Sequence, residues 1–270
     1  MPDMNDAESP HPVDVDGAQA SPGGVVARNE RALTEDQALE RDAMLTHKAA
    51  YNLGREYHDQ GKLSEAEELY DRALVGYEKE RGADNLDTLR VVYDLGWVYH
   101  DQGKLSEAEE LYDRARAGFE TKWGVNNVLT FTTVRRLGEV YYTQDKLVEA
   151  GKMFERALVG YEKKFGADDL MTLALVYDLG QVYYARGELV EAGKMFERAL
   201  VGYEKEPGAD DLVTLGVAYN LGQVYYFRGK LAEAGRMFER ALVGYEKERG
   251  ADDLEALAVA RDLGQVYHDQ

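Results

Sequence analysis

The chain of 270 residues contains no cysteine. That absence excludes disulfide staples, thiolate metal sites and cysteine nucleophiles. No stretch approaches the roughly 18 consecutive apolar residues of a membrane span. Basic residues are few, 32 against 51 acidic, and the formal charge is −19. Phosphate binding rests on clustered Lys and Arg, so nucleic acid and membrane surfaces are not expected as partners. The opening "MPDMNDAESP" has neither a basic n-region nor an apolar h-region, the parts a secretory signal needs. Histidine occurs five times, and His58, His100 and His268 are copies of one position. His58 and Asp59 are neighbours that point in different directions on a helix, so they make no metal pair. No H-E-x-x-H or nucleophile-elbow motif occurs, and "GKLS" at Gly61 lacks the upstream glycine and strand of a phosphate loop. No catalytic residue, metal ligand or cofactor is expected. The expected location is cytoplasmic.

What the chain does have is 44% hydrophobic residues and a strict internal period. The pair Leu-Gly recurs at Leu53-Gly54, Leu95-Gly96, Leu137-Gly138, Leu179-Gly180, Leu221-Gly222 and Leu263-Gly264, each step being 42 residues. Five units are complete, and the sixth reaches only the phrase "YHDQ". Helix A of unit six keeps the unmodified internal pattern, whereas terminal elements of solenoids acquire a polar face. The array is therefore expected to continue beyond residue 270.

Each unit reads as two helices. In unit two, Leu89, Val92, Tyr93, Leu95, Val98 and Tyr99 fall at three- and four-residue steps, which predicts helix A from Leu86 to Gln102. Gly103 is placed to end it in the left-handed conformation, and Asp145 is the unit-three copy. Ser106 with Glu109 reads as a capping box opening helix B. Val148, Val190 and Ala232 lack that cap, at a cost of ~1 kcal/mol each. Gly54 is expected to face Ala66, and Tyr57 and Tyr70 to fill the remaining space. Gly76, Gly118, Gly160, Gly202 and Gly244 fall mid-helix, as close-packing points or as hinges. Abundant Glu on helix B reads as a solvated face. One such hairpin cannot bury both faces, but stacked hairpins can.

This pattern resembles the tetratricopeptide repeat, whose marks are Leu53, Gly54 and Tyr57 on helix A and Ala66, Tyr70 and Ala73 on helix B. The 42-residue length resembles the kinesin-light-chain type, and the wording also resembles repeats of fungal NOD-like receptors. The resemblance implies an all-α right-handed solenoid of antiparallel helix pairs over residues 34–270. Residues 1–33 hold four of the five prolines and read as a disordered acidic tail. Arg31-Ala32-Leu33 resembles the helix B phrase at Arg72-Ala73-Leu74. No heptads precede the repeats, and helix A opens with Asn85-Leu86-Asp87 instead of the kinesin-type His-Pro-Asp. A motor-adaptor role is accordingly less expected than a receptor's sensor array, and both less than a general protein-binding module.

The resemblance also implies that the A helices line a concave groove. Helical spacing puts six positions per unit on that face, and together they carry six basic and seven acidic residues. The groove is thus nearly neutral in an acidic chain. Its candidate peptide-binding residues are Asn52, Arg55, Arg90, Tyr93, Trp97, Arg135, Arg136, Tyr177, Gln181, Tyr184, Tyr219, Asn220, Gln223 and Tyr226. Aromatic and Arg side chains dominate interface energetics, and Asn and Gln can bond an extended peptide backbone. Asn52 and Asn220 match the family's groove asparagine. Trp97 breaks the repeat, its copies being Glu139 and Gln181. Arg135 and Arg136 also break it, and with Arg90 they are expected to form a basic patch. The expected partner is a protein or peptide segment, held without catalysis.

Overall fold

The structure, a computed structural model, describes residues 46–205 and 211–270. The expected tail and the phrase at Arg31 lie outside them. Among the described residues the elements are eleven helices: α1 (His47–Asp59), α2 (Leu63–Arg81), α3 (Leu86–Asp101), α4 (Leu105–Trp123), α5 (Val128–Thr143), α6 (Leu147–Phe165), α7 (Leu170–Ala185), α8 (Leu189–Tyr203), α9 (Leu212–Phe227), α10 (Leu231–Arg249) and α11 (Leu254–Asp269). Odd-numbered helices are the A helices and even-numbered ones the B helices. Each A helix packs against its own B helix, and that B helix packs against the next A helix. This is the all-α solenoid of paired helices expected from the 42-residue period.

The A–B turn forms as expected. Gly103 sits at φ +75°, its N–H bonds the His100 carbonyl at 2.9 Å, and the Lys104 N–H reaches the Tyr99 carbonyl at 2.8 Å. These two bonds are the Schellman arrangement that satisfies carbonyls at a helix end. Asp145 repeats it at φ +59°.

Helix B starts earlier than the sequence implied. Leu105 is its first residue, Lys104 is the cap, and no side chain caps it. Every B helix begins in this way. Ser106 already lies inside the first turn, so Val148, Val190 and Ala232 forfeit no cap. The short Schellman turn is the reason, since it returns the chain to helix one residue sooner. The side-chain caps belong instead to the A helices. Asn85, Asn127, Asp169 and Asp253 each accept from the N–H two residues on, and Asp211 from the N–H three residues on. The residues that depart from His-Pro-Asp are therefore the N-caps, worth ~1 kcal/mol each.

Two glycine positions set the spacing between helices. A Cβ on Gly180 would stand 2.7 Å from the Phe196 ring, so the glycine makes room for that aromatic, whereas Ala66 had been expected as the partner of Gly54. The ring equivalents Tyr70, Tyr112, Phe154, Phe196 and Phe238 are all buried. The mid-helix glycines are close-packing points: a Cβ on Gly160 would lie 2.5 Å from Phe131. No room remains there for a side chain.

The B helices are less purely solvated than their composition implied. Arg114 pairs with Glu78 at 2.5 Å and Arg198 with Glu162 at 2.7 Å, each across one repeat boundary. Arg156–Glu120 and Arg240–Glu204 repeat the contact. Tyr183 donates to Glu155 at 2.7 Å, and Tyr225 to Glu197 at 2.9 Å. The outer acidic residues thus bridge neighbouring units, while the buried aliphatic and aromatic residues fill the layers between.

Candidate peptide groove

Successive A helices meet along one face through pairs 43 residues apart. Tyr51 donates to Asp94 at 2.7 Å, Arg135 to Asp178 at 2.9 Å, and Tyr219 to Asp262 at 2.8 Å. The Asn220 amide donates to the Tyr177 hydroxyl at 2.7 Å. Tyr93 and Arg136 interact at the remaining boundary. The ladder joins the residue two before the Leu of one unit to the residue just before the Leu of the next. Gln223 donates to the Tyr219 hydroxyl at 2.9 Å. Tyr51, Tyr177, Tyr219 and Asn220 are consequently engaged in joining repeats, and Gln223 holds Tyr219 from within the same helix.

A second line lies two turns further along the same helices. His58 contacts Asp101 at 3.0 Å, and Tyr226 donates to Asp269 at 2.6 Å. Between these polar ends Tyr184 and Phe227 lie 6.2 Å apart.

Arg135 and Arg136 do not make the expected basic patch. Glu139 stands one turn on and pairs with both, at 3.2 Å and 2.9 Å. Asp178 takes the other side of Arg135. Burial pushes the Asp178 carboxyl up to about 6, with the Arg135 charge pulling against it. Burial also raises Asp94 despite its bond from Tyr51. For Arg136, burial works to lower the pKa, but Glu139 and neighbouring tyrosines raise it on balance. These are structural ion pairs in half-buried surroundings, not free cations.

Trp97 packs between charged and aromatic neighbours. The Arg136 guanidinium lies over its ring at 4.3 Å, and the His58 ring meets it edge-on at 4.7 Å. Trp97 helps line a cavity of about 370 Å³ with Arg55, Arg90, Tyr93 and Tyr70. Four expected residues (Arg55, Arg90, Tyr93 and Trp97) are therefore gathered in one place by α1 and α3. A second cavity, about 220 Å³, is lined by Tyr184, Gln223, Tyr226 and Phe227 from α7 and α9, with Arg261 from α11. Gln181 lines a third, about 230 Å³, with His100 and Tyr142. Asn52 is exposed and joins none of these three.

Phe227 is one of the six expected groove positions of its unit but not one of the candidate binding residues, yet it is 62% exposed and lines the second cavity. Its signal was the one that marked Trp97: its copies are Asp59, Asp101, Thr143, Ala185 and Asp269, so it too breaks the repeat. Among the described residues no acidic or histidine cluster is arranged to hold a metal, and no helix is long and apolar enough to cross a membrane.

Comparison with solved structures finds the same architecture. The nearly identical TPR-like repeats of a Podosopora anserina protein described as a kinesin light chain superpose with a TM-score of 0.65 at 21% identity, over 75% of this chain and 96% of that one. BtubC (BKLC) from P. vanneervenii gives 0.68 at 22%, over 83% and 91%. YrrB, described as a TPR protein with an unusual peptide-binding site, gives 0.55 at 20%, over 84% and 97%. No curated protein is significantly similar in sequence. The tetratricopeptide repeat model matches residues 45–121, 129–205, 172–247 and 213–270. With the Leu-Gly marks and paired helices, these matches place the chain in the tetratricopeptide repeat family.

Proposed function

We propose that the A-helix face is a groove that holds a peptide or protein segment, and that the chain acts as a non-catalytic interaction module in the cytoplasm. The observation that carries this reading is the cavity around Trp97. It combines an aromatic floor with two guanidinium groups, and aromatic and Arg side chains are the types that anchor interfaces. Its volume, about 370 Å³, is of the size that takes a side chain and its neighbours. The family membership agrees with such a role, and YrrB, of the same fold, is described as having a peptide-binding site.

Trp97 also supplies the assay. The chain has two tryptophans, so Trp123→Phe leaves Trp97 as the sole indole reporter. Peptides that bind the purified chain on an array should shift the Trp97 emission on titration. Trp97→Ala should weaken the same peptides at least tenfold, an anchor's usual share. Peptides that bind without moving the emission and without loss on Trp97→Ala would place the site elsewhere.

A further inference from the structure

Of the three cavities along the groove, the first two differ in chemistry, and the difference gives the ligand a pattern. This inference rests on the peptide-groove reading and sharpens it.

The first cavity contains two arginines with no ion-pair or hydrogen-bond partner among the described residues. Arg55 has Asp59 four residues on, and Arg90 has Asp94. At that spacing Arg135 closes onto Glu139 at 3.2 Å. Neither pair closes here. The Asp94 carboxylate is turned to the Tyr51 hydroxyl, and Asp59 stays exposed on the cavity wall. Two guanidinium forks therefore face solvent beside the Trp97 ring. A carboxylate is the group such forks take, through paired N–H donors.

The second cavity has the opposite character. Phe227 lies 6.2 Å from Tyr184 and 5.5 Å from Tyr226, and its ring is largely exposed. The one cation there, Arg261, is closed onto Asp262 at 2.8 Å. No free charge competes, so the site suits an aliphatic or aromatic side chain.

Trp97 stands on α3 and Phe227 on α9, three repeats apart. Neighbouring packed helices lie ~8–10 Å apart, and hydrogen bonds between their side chains show that successive A helices are neighbours. The two sites are then separated by roughly 25–30 Å, a distance an extended chain at about 3.3 Å per residue covers in roughly nine residues.

We propose that the groove takes an extended segment with an acidic side chain on Arg55 and Arg90 and an apolar side chain roughly nine residues away on Phe227 and Tyr184. The probes are immobilised peptide libraries with Glu and Phe fixed at separations of roughly four, nine and fourteen residues, other positions being randomised. Both orders of the two anchors are included. Binding of the full chain should peak at the middle separation, at least tenfold above libraries with either anchor replaced by Ser. The double variant Arg55→Gln/Arg90→Gln should erase the gain from Glu and its salt dependence, leaving the gain from Phe. Phe227→Ala should do the reverse. Circular dichroism and urea titration establish that both variants are folded. Binding indifferent to separation, or variants that fail to discriminate the anchors, would overturn the two-anchor inference. If Trp97→Ala still weakens binding in that case, the groove reading survives alone; if it does not, both fall.

Discussion

The Tyr51 hydroxyl donates to the Asp94 carboxylate at 2.7 Å, and the two residues lie 43 positions apart. That separation is one repeat plus one residue. It recurs in Arg135–Asp178, Tyr177–Asn220 and Tyr219–Asp262, so a single register rule joins each unit to the next. The pairs vary in chemistry while the register holds. A polar ladder of this kind adds direction to a core of stacked layers, because a slipped repeat would leave half-buried groups unpartnered.

Removing one rung leaves a half-buried carboxylate without its donor. Tyr51→Phe and Tyr219→Phe are each expected to lower unfolding stability by about 1–3 kcal/mol. The sites are four repeats apart, so the double variant should show the sum. Urea midpoints at constant slope provide the measurement. Two silent variants would mean that packing alone sets the register.

Asp178 gives the ladder a pH dependence. Burial holds its carboxyl up to about 6, Glu139 pushes the same way, and Arg135 and Arg136 only partly offset them. The folded state thus keeps a proton that the unfolded chain releases near the ordinary carboxylate pKa. This contribution to stability is full below about pH 4 and declines as pH rises to about 6. Asp178→Asn should remove that decline. Arg135→Ala strips the buried carboxylate of its partner, and should cost about 1–3 kcal/mol at pH 7.5 and less at pH 5, where Asp178 holds its proton. Equal losses at the two pH values would be incompatible with this account.

The period, the helix pairs and the Schellman glycines were legible in the sequence because they are local or strictly repeated. Helical spacing puts Arg55, Arg90 and Trp97 on one face, and in the structure the three line one cavity. What escaped was how the copies meet. Arg135 and Arg136 read as a basic patch in isolation, but Glu139 on the same helix and Asp178 from the next unit neutralise them. That pairing spans a repeat boundary and is invisible to a pattern read one unit at a time. Ser106 misled for a different reason. Its capping-box spacing is genuine, but the turn at Gly103 is too tight to leave it outside the helix.

Asp145 is a test of that turn. It takes φ +59° where the other A–B turns have Gly61, Gly103, Gly187 and Gly229. A side chain there costs roughly 1 kcal/mol relative to Gly. Asp145→Gly should stabilise the chain by about 0.5–1 kcal/mol, read as a rise in thermal midpoint. A fall would show that the Asp145 side chain supplies a contact that offsets its backbone conformation.

The Leu-Gly glycines allow a paired test of close packing. A Cβ on Gly222 would stand 2.7 Å from the Phe238 ring, which is buried and cannot swing away, whereas a Cβ on Gly264 would meet nothing within 4 Å. Both lie in helices, where Ala is favoured over Gly by about 1 kcal/mol. At Gly264 that preference acts alone, and Gly264→Ala should stabilise by about 0.5–1 kcal/mol. At Gly222 the added methyl forces the ring and its layer apart, an overpacking cost of about 1–3 kcal/mol that should outweigh the helix gain. The same substitution is thus expected to change sign between two copies of one motif. Opposite shifts in the urea midpoint would identify the aromatic of helix B as the reason for the glycine. Matching gains would mean that the layer yields easily, and that Gly222 is not needed to seat Phe238.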